Sequence, residues 1–409
     1  MTKHYIFFTR HALTQPQAHL VQVSNSANAA ANLGYSTVLC FLEQGWRSFN
    51  PVSWIHPFHP RKPEAKLSKL YNLQEKLKVA PLPMPSSIEG INSKWTNSSS
   101  IVCKYYFPFH ILPHTKIVHT RDWNFVKAAI KYGIPAIYEH HHQDKKRFEP
   151  EIVHNPLLQI AVTVAEPIRE SMIQQGMPPG KVIKLHNGFN QVFLERHPEA
   201  AKEWRDKLLV NEQQRLIVYS GALRKFKGIN LMIEVAKEMP QVQFAFAGGN
   251  QSEVQHYQQL AQEQQAPNVT FLGHIPQNQL ASLLQAADIL AHPHCSGNAA
   301  ATTSPLKLFD YLASGTPIVA TEIPPLMEFK SSSAIAGWCE PNHPTQLAQC
   351  LQHVLATHPR KIGGYTDNLD FVRQFSWENR ISKILSYVED SKRPQVIVEG
   401  YRGSVPIKT

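Results

Sequence analysis

A carboxylate lies in the middle of a segment whose other residues are mostly apolar. Asp310 falls within TTSPLKLFDYLASGTPIVAT (302–321), where large hydrophobic side chains leave little of the segment for water. Because a buried carboxylate must be paired or hydrogen-bonded, Asp310 is expected to hold either a cation of the protein or a group of a ligand.

The same segment predicts a helix whose first turn suits an anion. Ser304 is a favourable N-cap, Pro305 fits the first turn, and Gly315 ends the helix. The free amides and the helix dipole favour a phosphate there, and the small residues of GNAAATT (297–303) let a ligand approach the backbone. Lys307 opposes the dipole unless an anion lies beside it. An ordinary capped helix without a ligand is the alternative.

A second basic segment joins a predicted strand to a predicted helix. The segment YSGALRKFKGINLMI (219–233) places Arg224, Lys225 and Lys227 between Gly221 and Gly228. In open α/β sheets ligands bind at the carboxyl ends of strands, where arginine and lysine can clamp a diphosphate. The segment is not a P-loop, because no G-x-x-x-x-G-K-[ST] occurs in the chain.

The elements that must position these residues follow a β-α-β rhythm. Short apolar segments predict strands at YIFF (5–8), STVLCFL (36–42), KIVHT (116–120), AIYEH (136–140), AVTVA (161–165), VIKLH (182–186), LIVYSG (216–221), VQFAFAG (242–248), VTFLG (269–273), ILAHP (289–293) and TPIVAT (316–321). Helical patterns include residues 17–33, 228–239 and 305–314, and a polar helix without strand signal spans 196–211. The rhythm predicts two doubly wound α/β domains with a boundary near residues 190–200.

The composition describes a globular protein with a positive surface. The 409 residues are too many for one ordinary core, and the net charge is +10 with a pI of about 9.2. Such a surface suits nucleic acid, phosphorylated small molecules, an anionic membrane or solubility alone. Five scattered cysteines without a C-x-x-C pair favour a reducing compartment, and no apolar run resembles a signal peptide or a membrane helix. We expect a cytoplasmic protein, with a peripheral position on the inner membrane face left open.

Two regions interrupt the rhythm. Within residues 51–100, apolar and basic side chains alternate at helical spacing and predict a basic amphipathic helix over residues 66–78; they are Leu67, Leu70, Tyr71 and Leu77 beside Lys66, Lys69, Lys76 and Lys78. This helix is either a solvated helix of the first domain or a membrane-surface contact. The tail after Lys392 has no core pattern and is expected to be extended or disordered.

The order of these segments resembles that of retaining family 4 glycosyltransferases of GT-B fold, over about residues 100–390. The segments that carry the resemblance are TRDWNFVKAAIKYGIPAIYEHHH (120–142), VTVAEPIRESMIQQGMPPGKVIKLHNGFNQVF (162–193), SGALRKFKG (220–228), FAFAGG (244–249), VTFLGHIP (269–276), AADILAHP (286–293), SPLKLFDYLASGTPIVATEIP (304–324) and FSWENRISKILSYVED (375–390). The resemblance implies two Rossmann-like domains facing across a cleft. Residues 1–195 would form the acceptor side, 196–375 would bind the nucleotide-sugar, and the helix in 376–395 would pack back on the first domain.

The resemblance also implies how the donor, a UDP- or GDP-sugar, is held. Asp310 takes the position of the family's ribose-binding glutamate, and Lys227 that of its phosphate-binding lysine. The chain departs from the family at Thr302, where a glutamate usually contacts the donor sugar, and at Ala222, where an arginine is usual. Arg224 or Lys225 could replace that arginine. The implied donor-binding residues are Gly221, Arg224, Lys225, Lys227, Gly273, Thr302, Ser304, Leu306, Lys307 and Asp310.

His141 aligns with the family's histidine near the reacting sugar, so His141 and Lys227 are the implied catalytic residues. A metal site made by His140–His142 is disfavoured, because adjacent side chains on a strand point to opposite faces. No D-x-D occurs in the chain, and cations of the protein can neutralise a leaving diphosphate. We therefore expect no metal and no cofactor.

The function implied is a retaining hexosyltransferase that moves a sugar to a hydroxyl of a glycan or lipid-linked acceptor in polysaccharide, glycolipid or other glycoconjugate synthesis. Two alternatives share the fold: a catalytically silent protein that binds a nucleotide or glycan, which the residues at 302 and 222 favour, and a nucleotide-sugar epimerase. Nucleic acid is the least favoured partner, because the chain lacks an RNP-type motif and a dominant basic stripe.

Overall fold

The protein, described here from a computed structural model, contains two parallel sheets in two compact units. The structure describes residues 3–14, 17–44, 55–84, 98–142, 147–297, 300 and 306–396. Unit 1 comprises the chain up to Leu185 together with the segment from Trp377 onward, and unit 2 is His186–Ser376.

The sheet of unit 1 has seven parallel strands in the order β3-β2-β1-β4-β5-β6-β7. The strands are β1 (His4–Phe8), β2 (Thr37–Gln44), β3 (Lys78–Met84), β4 (Thr115–Thr120), β5 (Ala136–Glu139), β6 (Leu158–Thr163) and β7 (Val182–Lys184). The central strands are almost continuously apolar because helices cover both faces of the sheet, which leaves no side for polar alternation.

Helices connect these strands in the crossover manner that parallel pairing requires. The helices of unit 1 are α1 (Ala18–Asn32), α2 (Ala65–Tyr71), α3 (Ser98–Ile101), α4 (Trp123–Lys131), α5 (Pro150–Val153) and α6 (Glu166–Gln174). A π-helical segment, Val102–Ile111, follows α3 directly.

The sheet of unit 2 has six parallel strands in the order β10-β9-β8-β11-β12-β13. They are β8 (Arg215–Ser220), β9 (Val242–Ala247), β10 (Val269–Gly273), β11 (Ile289–His292), β12 (Ile318–Thr321) and β13 (Gly337–Cys339). The helices are α7 (Pro198–Leu208), α8 (Ile229–Glu238), α9 (Gln251–Glu263), α10 (Gln277–Ala286), α11 (Leu306–Ser314), α12 (Pro344–Thr357) and α13 (Thr366–Arg373). Two apolar clusters, one on each face of the sheet, form its core.

The last helix, α14 (Trp377–Ser386), belongs to unit 1, as the resemblance implied. It packs on α1, where Asn32 Nδ2 donates to Glu378 Oε1 at 2.9 Å. The predicted fold class, two doubly wound α/β domains with a returning C-terminal helix, is confirmed.

Both sheets reverse their strand order in the same way. In unit 1 the reversal lies between β1 and β4, and in unit 2 between β8 and β11. Connections leave these neighbouring strands toward opposite faces, so a crevice opens at their carboxyl ends, and such crevices bind ligands in doubly wound sheets. The fold therefore indicates one candidate binding position in each unit: the carboxyl ends of β1 and β4 in unit 1, and those of β8 and β11 in unit 2.

All eleven predicted strands are present, but β3 and β13 were not predicted. Strand β3 contains Pro81 and Pro83, which argue against a strand. The prolines are tolerated because β3 is an edge strand: β2 is its one neighbouring strand among the described residues, and on its other side only Val79 forms a bridge there, to Arg61.

The predicted basic helix over residues 66–78 is wrong in its extent. Helix α2 ends at Tyr71, and Asn72 adopts a left-handed conformation (φ 52°). Leu77 precedes β3, and Lys78 is the first residue of that strand. Tyr71 and Leu77 are buried in unit 1, so they form no apolar face for a membrane.

Candidate functional site

The crevice of unit 2 is formed by the connections that leave β8 and β11. The Cys295 backbone N–H donates to Phe226 O at 2.9 Å and ties the two connections together. Gly228 has φ 78°, and a Cβ there would lie 1.7 Å from the Pro293 carbonyl oxygen. Only glycine permits this close approach, which explains the second glycine of the basic segment.

Lys307 enters this crevice from the first turn of α11. Its Nζ lies 4.8 Å from the ring centre of Tyr219 and donates to the Tyr219 hydroxyl at 3.4 Å. A Cβ at Gly221, whose φ is 139°, would lie 1.0 Å from this Nζ. Gly221 therefore leaves the space that Lys307 fills. Helix α11 is fixed against β8 because the Ser220 N–H donates to the Tyr311 hydroxyl at 2.7 Å.

Two histidines at the end of β11 complete the crevice. The rings of His292 and His294 lie 4.0 Å apart, centre to centre, and both side chains are buried. His292 Nδ1 and both ring nitrogens of His294 are buried without a hydrogen-bond partner among the described residues. Buried polar atoms are normally satisfied, and each neutral imidazole retains one N–H donor. Groups of this kind are expected where a ligand supplies the missing partners.

We call Lys227, His292, His294 and Lys307 the lysine–histidine cluster. Burial lowers the pKa of Lys227 to about 8. Burial and the nearby charge of Lys227 hold the pKa of Lys307 well below its usual range. Burial, with Lys227 and Lys307 adding to it, lowers the pKa of His292 to about 3. The cluster thus concentrates hydrogen-bond donors and positive charge where water is largely excluded, and a bound anion would stabilise it.

Asp310 lies one turn after Lys307 on α11 and is partly buried. Burial raises the pKa of Asp310 to about 8, against the opposing effects of Lys307 and of a hydrogen bond from the Asn190 backbone. No ion pair of the described residues includes Asp310. The expected partner is therefore not a neighbouring protein cation in the described structure, and a ligand group stays the prediction for this carboxyl.

The structure separates some predicted donor-binding residues from this cluster. Arg224 is exposed and pairs with Glu253 at 3.3 Å, and Lys225 is exposed. Gly273 ends β10, two strands from β8. Leu306 begins α11. Thr302 and Ser304 lie outside the described residues, so their assignments stay predictions.

His141 belongs to a second buried cluster, in unit 1. The carboxylate of Glu139 accepts hydrogen bonds from His119 Nε2 at 2.8 Å and from His141 Nε2 at 2.7 Å. Arg380 of α14 binds the same carboxylate with both terminal nitrogens, at 2.7 and 3.1 Å, and Gln22 Nε2 donates at 3.1 Å. We call these five residues the glutamate cluster.

Burial alone would raise the pKa of Glu139, but Arg380 and the hydrogen bonds from His119 and His141 hold it well below its usual range. Burial and the nearby charge of Arg121 lower the pKa of His141 to about 3, although Glu139 opposes them. A neutral His141 that donates through Nε2 keeps Nδ1 as a hydrogen-bond acceptor. Glu139 thereby fixes the ring and the tautomer of this predicted catalytic residue.

The three successive histidines point to different partners. His140 Nδ1 bonds the Tyr138 hydroxyl at 3.0 Å, His141 bonds Glu139, and His142 Nε2 accepts from Arg121 at 3.0 Å. Within the described ranges, no three His, Cys, Asp or Glu side chains are placed to hold a metal ion. Metal-independence stays a prediction. The same part of the chain contains no helix with the length and apolar content to cross a bilayer.

Sequence reasoning missed six residues of these clusters: His292 and His294, at and just after the end of a buried strand, and Gln22, His119, Glu139 and Arg380. The signal for His292 and His294 was present in AHPH (291–294), where two histidines follow an apolar strand at its carboxyl end. No local signal links Glu139 to Arg380, because 241 positions separate them.

Comparisons with known proteins show which family model the chain matches and which folds it resembles. Residues 200–363 match the family model described as Glycosyl transferases group 1. The D-inositol 3-phosphate glycosyltransferase of Corynebacterium aurimucosum is 24% identical over 255 residues, which are 59% of each chain. The alpha-galactosylglucosyldiacylglycerol synthase of Streptococcus pneumoniae is 26% identical over 190 residues, 45% of this chain and 46% of that protein. The chain thus spans about half the length of these relatives.

Solved structures match over nearly the whole chain. Anabaena Alr3699/HepE in complex with UDP and glucose has a TM-score of 0.66 at 15% identity, covering 94% of this chain and 99% of that one. WaaG, a glycosyltransferase involved in lipopolysaccharide biosynthesis, has a TM-score of 0.59 at 13% identity, covering 94% and 100%. At these identities the likeness concerns the fold. The resemblance predicted from the sequence is confirmed: residues 200–363 match the Glycosyl transferases group 1 model, and the chain has the GT-B fold.

Proposed function

We propose that the protein is a glycosyltransferase that takes a hexose from a nucleotide-sugar, UDP-sugars being the first candidates, and transfers it to an acceptor hydroxyl with retention of configuration. The observation that carries this proposal is the lysine–histidine cluster. It places two lysines that form no ion pair with a carboxylate of the described residues, and three histidine nitrogens without a hydrogen-bond partner there, at the β8/β11 crevice. A nucleotide diphosphate supplies the oxygens that these groups lack.

The chemistry follows from the charge that develops on the leaving group. The bond between the anomeric carbon and the diphosphate oxygen breaks, and its electron pair leaves with the diphosphate. The acceptor oxygen forms the new bond to the same carbon, and its proton passes to a diphosphate oxygen. Preorganised donors aimed at the developing phosphate charge are the main source of acceleration. Lys227, Lys307 and His294 take this role in the proposal.

The other residues position the reactants. Asp310 accepts hydrogen bonds from the ribose hydroxyls, one helical turn from Lys307. His141 contributes its free Nδ1 beside the reacting sugar. Glu139 makes no covalent bond to the sugar, because its two oxygens are occupied by Arg380, His119, His141 and Gln22. This occupancy favours attack on the face from which the diphosphate departs over a covalent intermediate at Glu139.

The names of the similar proteins support the substrate classes. Solved neighbours include complexes with UDP, with UDP and glucose and with UDP-glucose. One relative is named for an inositol phosphate and another for a glycolipid, alpha-galactosylglucosyldiacylglycerol. We therefore propose glycans and glycolipids as acceptors, in polysaccharide or other glycoconjugate synthesis.

The proposal is tested by nucleotide release from UDP-, GDP- and ADP-sugars, with and without candidate acceptors. Lys227→Ala should reduce the rate tens to about a thousandfold, because losing a phosphate contact costs about 2–4 kcal/mol in the transition state. Lys237→Ala, which removes an exposed lysine at the far end of α8, is the matched control. Equal rates in the two variants would refute the assignment of Lys227.

The anomeric configuration of the product, read by NMR, tests retention. Transfer that persists in excess EDTA would support metal-independence, whereas loss on chelation and recovery with Mg²⁺ or Mn²⁺ would overturn it.

A catalytically silent protein is the second candidate, and the departures at Thr302 and Ala222 favour it. In that case a sugar-nucleotide would bind and raise thermal stability, but no nucleotide would be released with any acceptor. Tight binding without turnover across the panel would select this alternative.

We also propose a peripheral membrane contact made by charge alone. Lys66, Lys69, Lys76 and Lys78 are exposed, while Tyr71 and Leu77 are buried in unit 1. Lysines near an anionic surface attract it by about 1 kcal/mol each, and salt screens the attraction. The protein should co-sediment with phosphatidylglycerol vesicles at low salt and be released by salt. Equal binding to phosphatidylcholine vesicles would contradict this contact.

A further inference from the structure

A second crevice with unmatched positive charge lies in unit 1, at the carboxyl ends of β1 and β4. A cavity of about 170 Å³ opens there, where the strand order of the sheet reverses. We call it the unit 1 pocket; its polar lining is Thr9, Arg10, His11, His19, Arg121, Asp122 and His142. It holds a group several times larger than a water molecule, which occupies about 30 Å³ in the liquid.

Arg121 is the principal cation of the unit 1 pocket. It is partly buried, and its Nη2 donates to His142 Nε2 at 3.0 Å. No carboxylate of the described residues forms an ion pair with Arg121. Glu139, whose charge reaches Arg121, already binds both terminal nitrogens of Arg380. Since a guanidinium stays charged, a partly buried arginine without an ion-pair partner among the described residues suits an anion.

His19 supplies an independent observation. It lies in the first turn of α1, and its Nε2 is buried without a hydrogen-bond partner in the part of the chain that the structure describes. Its ring packs edge-on against His11, with the ring centres 4.8 Å apart. Burial, with His11, Arg121 and His142 adding to it, lowers the pKa of His19 to about 4, so the neutral ring has one N–H to donate. Helix α1 has no side-chain cap and no acidic residue in its first turn, which leaves its positive end for the same anion.

Asp122, the one carboxylate among the described residues that line the unit 1 pocket, indicates a second feature of the ligand. Asp122 Oδ1 accepts from the Phe125 N–H and caps α4, while no described residue gives the buried Oδ2 a hydrogen-bond partner. An anion cannot satisfy this oxygen, but a hydroxyl can donate to it. Cations and a free carboxylate oxygen in one cavity therefore suit a phosphate with a hydroxyl close to it.

We infer that the unit 1 pocket binds a phosphate group of the acceptor, through Arg121 and His19, and one of its hydroxyls through Asp122. The acceptor class is then a phosphorylated polyol or sugar, either free or as a lipid headgroup. This inference rests on the proposed glycosyl transfer, because it assigns the role of unit 1 in that reaction. Arg121 also lies near enough to His141 for its charge to lower the pKa of that histidine, which places the phosphate near the predicted catalytic residue.

The test uses the full chain with UDP at saturation, so that the β8/β11 crevice is occupied, and titrates inorganic phosphate and glycerol 3-phosphate by calorimetry. The wild type should bind both, and glycerol 3-phosphate more tightly because of Asp122. Arg121→Gln should weaken both by about tenfold to a hundredfold, the loss of charge-assisted hydrogen bonds. Arg121→Lys keeps the positive charge but not the paired N–H donors of the guanidinium. It should weaken the binding of both compounds less than Arg121→Gln does. Arg61→Gln, an exposed arginine of unit 1, should match the wild type.

Vesicles separate the two sources of the phosphate. The lipid source would be supported by two results together. The wild type should bind phosphatidic acid vesicles but not free glycerol 3-phosphate, and Arg121→Gln should not bind the vesicles. The inference is overturned if neither phosphate compound nor these vesicles bind, or if Arg121→Gln binds like the wild type.

UDP affinity is measured in the same proteins. It should be unchanged in Arg121→Gln and reduced in Lys227→Ala. Normal UDP binding without phosphate binding would therefore reject the unit 1 pocket alone. Absent UDP binding with Arg121-dependent phosphate binding would reject the proposed donor site alone.

Discussion

The two buried polar clusters of this protein differ in whether they are complete. In the glutamate cluster, one carboxylate receives five N–H donors from Arg380, His119, His141 and Gln22. In the lysine–histidine cluster, two lysines lie beside two histidines with three unpartnered ring nitrogens, and no carboxylate of the described residues pairs with them. The first cluster needs nothing from outside the protein, and the second does.

We interpret the difference as that between a cluster that supports the fold and one that, in the proposed function, binds a ligand. Desolvating a charge costs several kcal/mol, and only partners of opposite charge in good geometry offset this cost. In the glutamate cluster, the partners within the protein offset this desolvation cost. The cluster also joins α1, β4, β5 and α14 within unit 1. In the lysine–histidine cluster, part of the desolvation cost is not offset until an anion binds. Removing Arg380 should therefore affect stability, and removing a lysine of the second cluster should affect ligand affinity.

The largest expected effect tests the structural side of this comparison. Arg380→Met leaves Glu139 buried without its guanidinium and should lower the free energy of unfolding by about 3–5 kcal/mol. Urea denaturation followed by circular dichroism measures this. The control is Arg373→Met, whose ion pair with Asp370 is largely exposed and should contribute at most about 1 kcal/mol. Equal losses in the two variants would mean that the glutamate cluster is not a special support of the fold.

Asp310 tests the ligand side. At pH 9, above the pKa of about 8 of Asp310, Asp310→Asn should weaken UDP binding by about 1–2 kcal/mol, because a charged acceptor to the ribose hydroxyls becomes a neutral one. The binding of 2′,3′-dideoxy-UDP, which lacks those hydroxyls, should change little, and the melting temperature should be unaffected. Calorimetry with both nucleotides measures the contrast. A lower melting temperature with unchanged UDP affinity would instead assign Asp310 to the fold.

The pH dependence of stability should reveal the neutral histidine of the second cluster. The pKa of His292 is about 3 in the folded protein and about 6.5 in the unfolded chain, so between these values only the unfolded chain binds the proton. Stability should then fall as the pH drops below about 6.5, by about 1.4 kcal/mol per pH unit for this histidine. Urea titrations at pH 7, 6 and 5 should show a shallower fall in His292→Asn. An identical slope in wild type and variant would contradict the buried, neutral state.

The smallest effect is expected at Arg224. This residue pairs with Glu253 and is 64% exposed, so Arg224→Ala should change stability by less than about 1 kcal/mol. UDP affinity should change less than about threefold if Arg224 stays outside the cluster. A loss comparable to that in Lys227→Ala would show that Arg224 turns toward the phosphate when the donor binds.

Local patterns in the sequence were sufficient for most of the fold. Buried parallel strands are continuous apolar segments, so all eleven predicted strands are present. Strand β3 was missed because its two prolines contradict strand propensity, and only its edge position in the sheet makes them acceptable. The helix over residues 66–78 was extended too far because Leu77 continues the helical spacing, although its side chain is buried ahead of β3.

The site was predictable only where a motif carried it. Lys227, Lys307 and Asp310 followed from cations at a strand-helix junction and from a carboxylate in an apolar helix. His292 and His294 were not identified, since a histidine at a strand end is more often an ordinary core residue. The contact of Glu139 with Arg380 joins distant parts of the chain, and spacing along the sequence cannot indicate it.

The most direct test of the comparison is the UDP-dependent melting temperature of Lys307→Met beside that of Arg380→Met. UDP should raise the melting temperature of the wild type, since a ligand at a hundred times its Kd stabilises by about 2.7 kcal/mol. Lys307→Met should melt at or above the wild-type temperature without UDP and lose most of the rise with it. Arg380→Met should melt lower and keep the rise. A Lys307→Met protein that melts lower than the wild type and keeps the full UDP-dependent rise would contradict the assignment of the lysine–histidine cluster to a ligand.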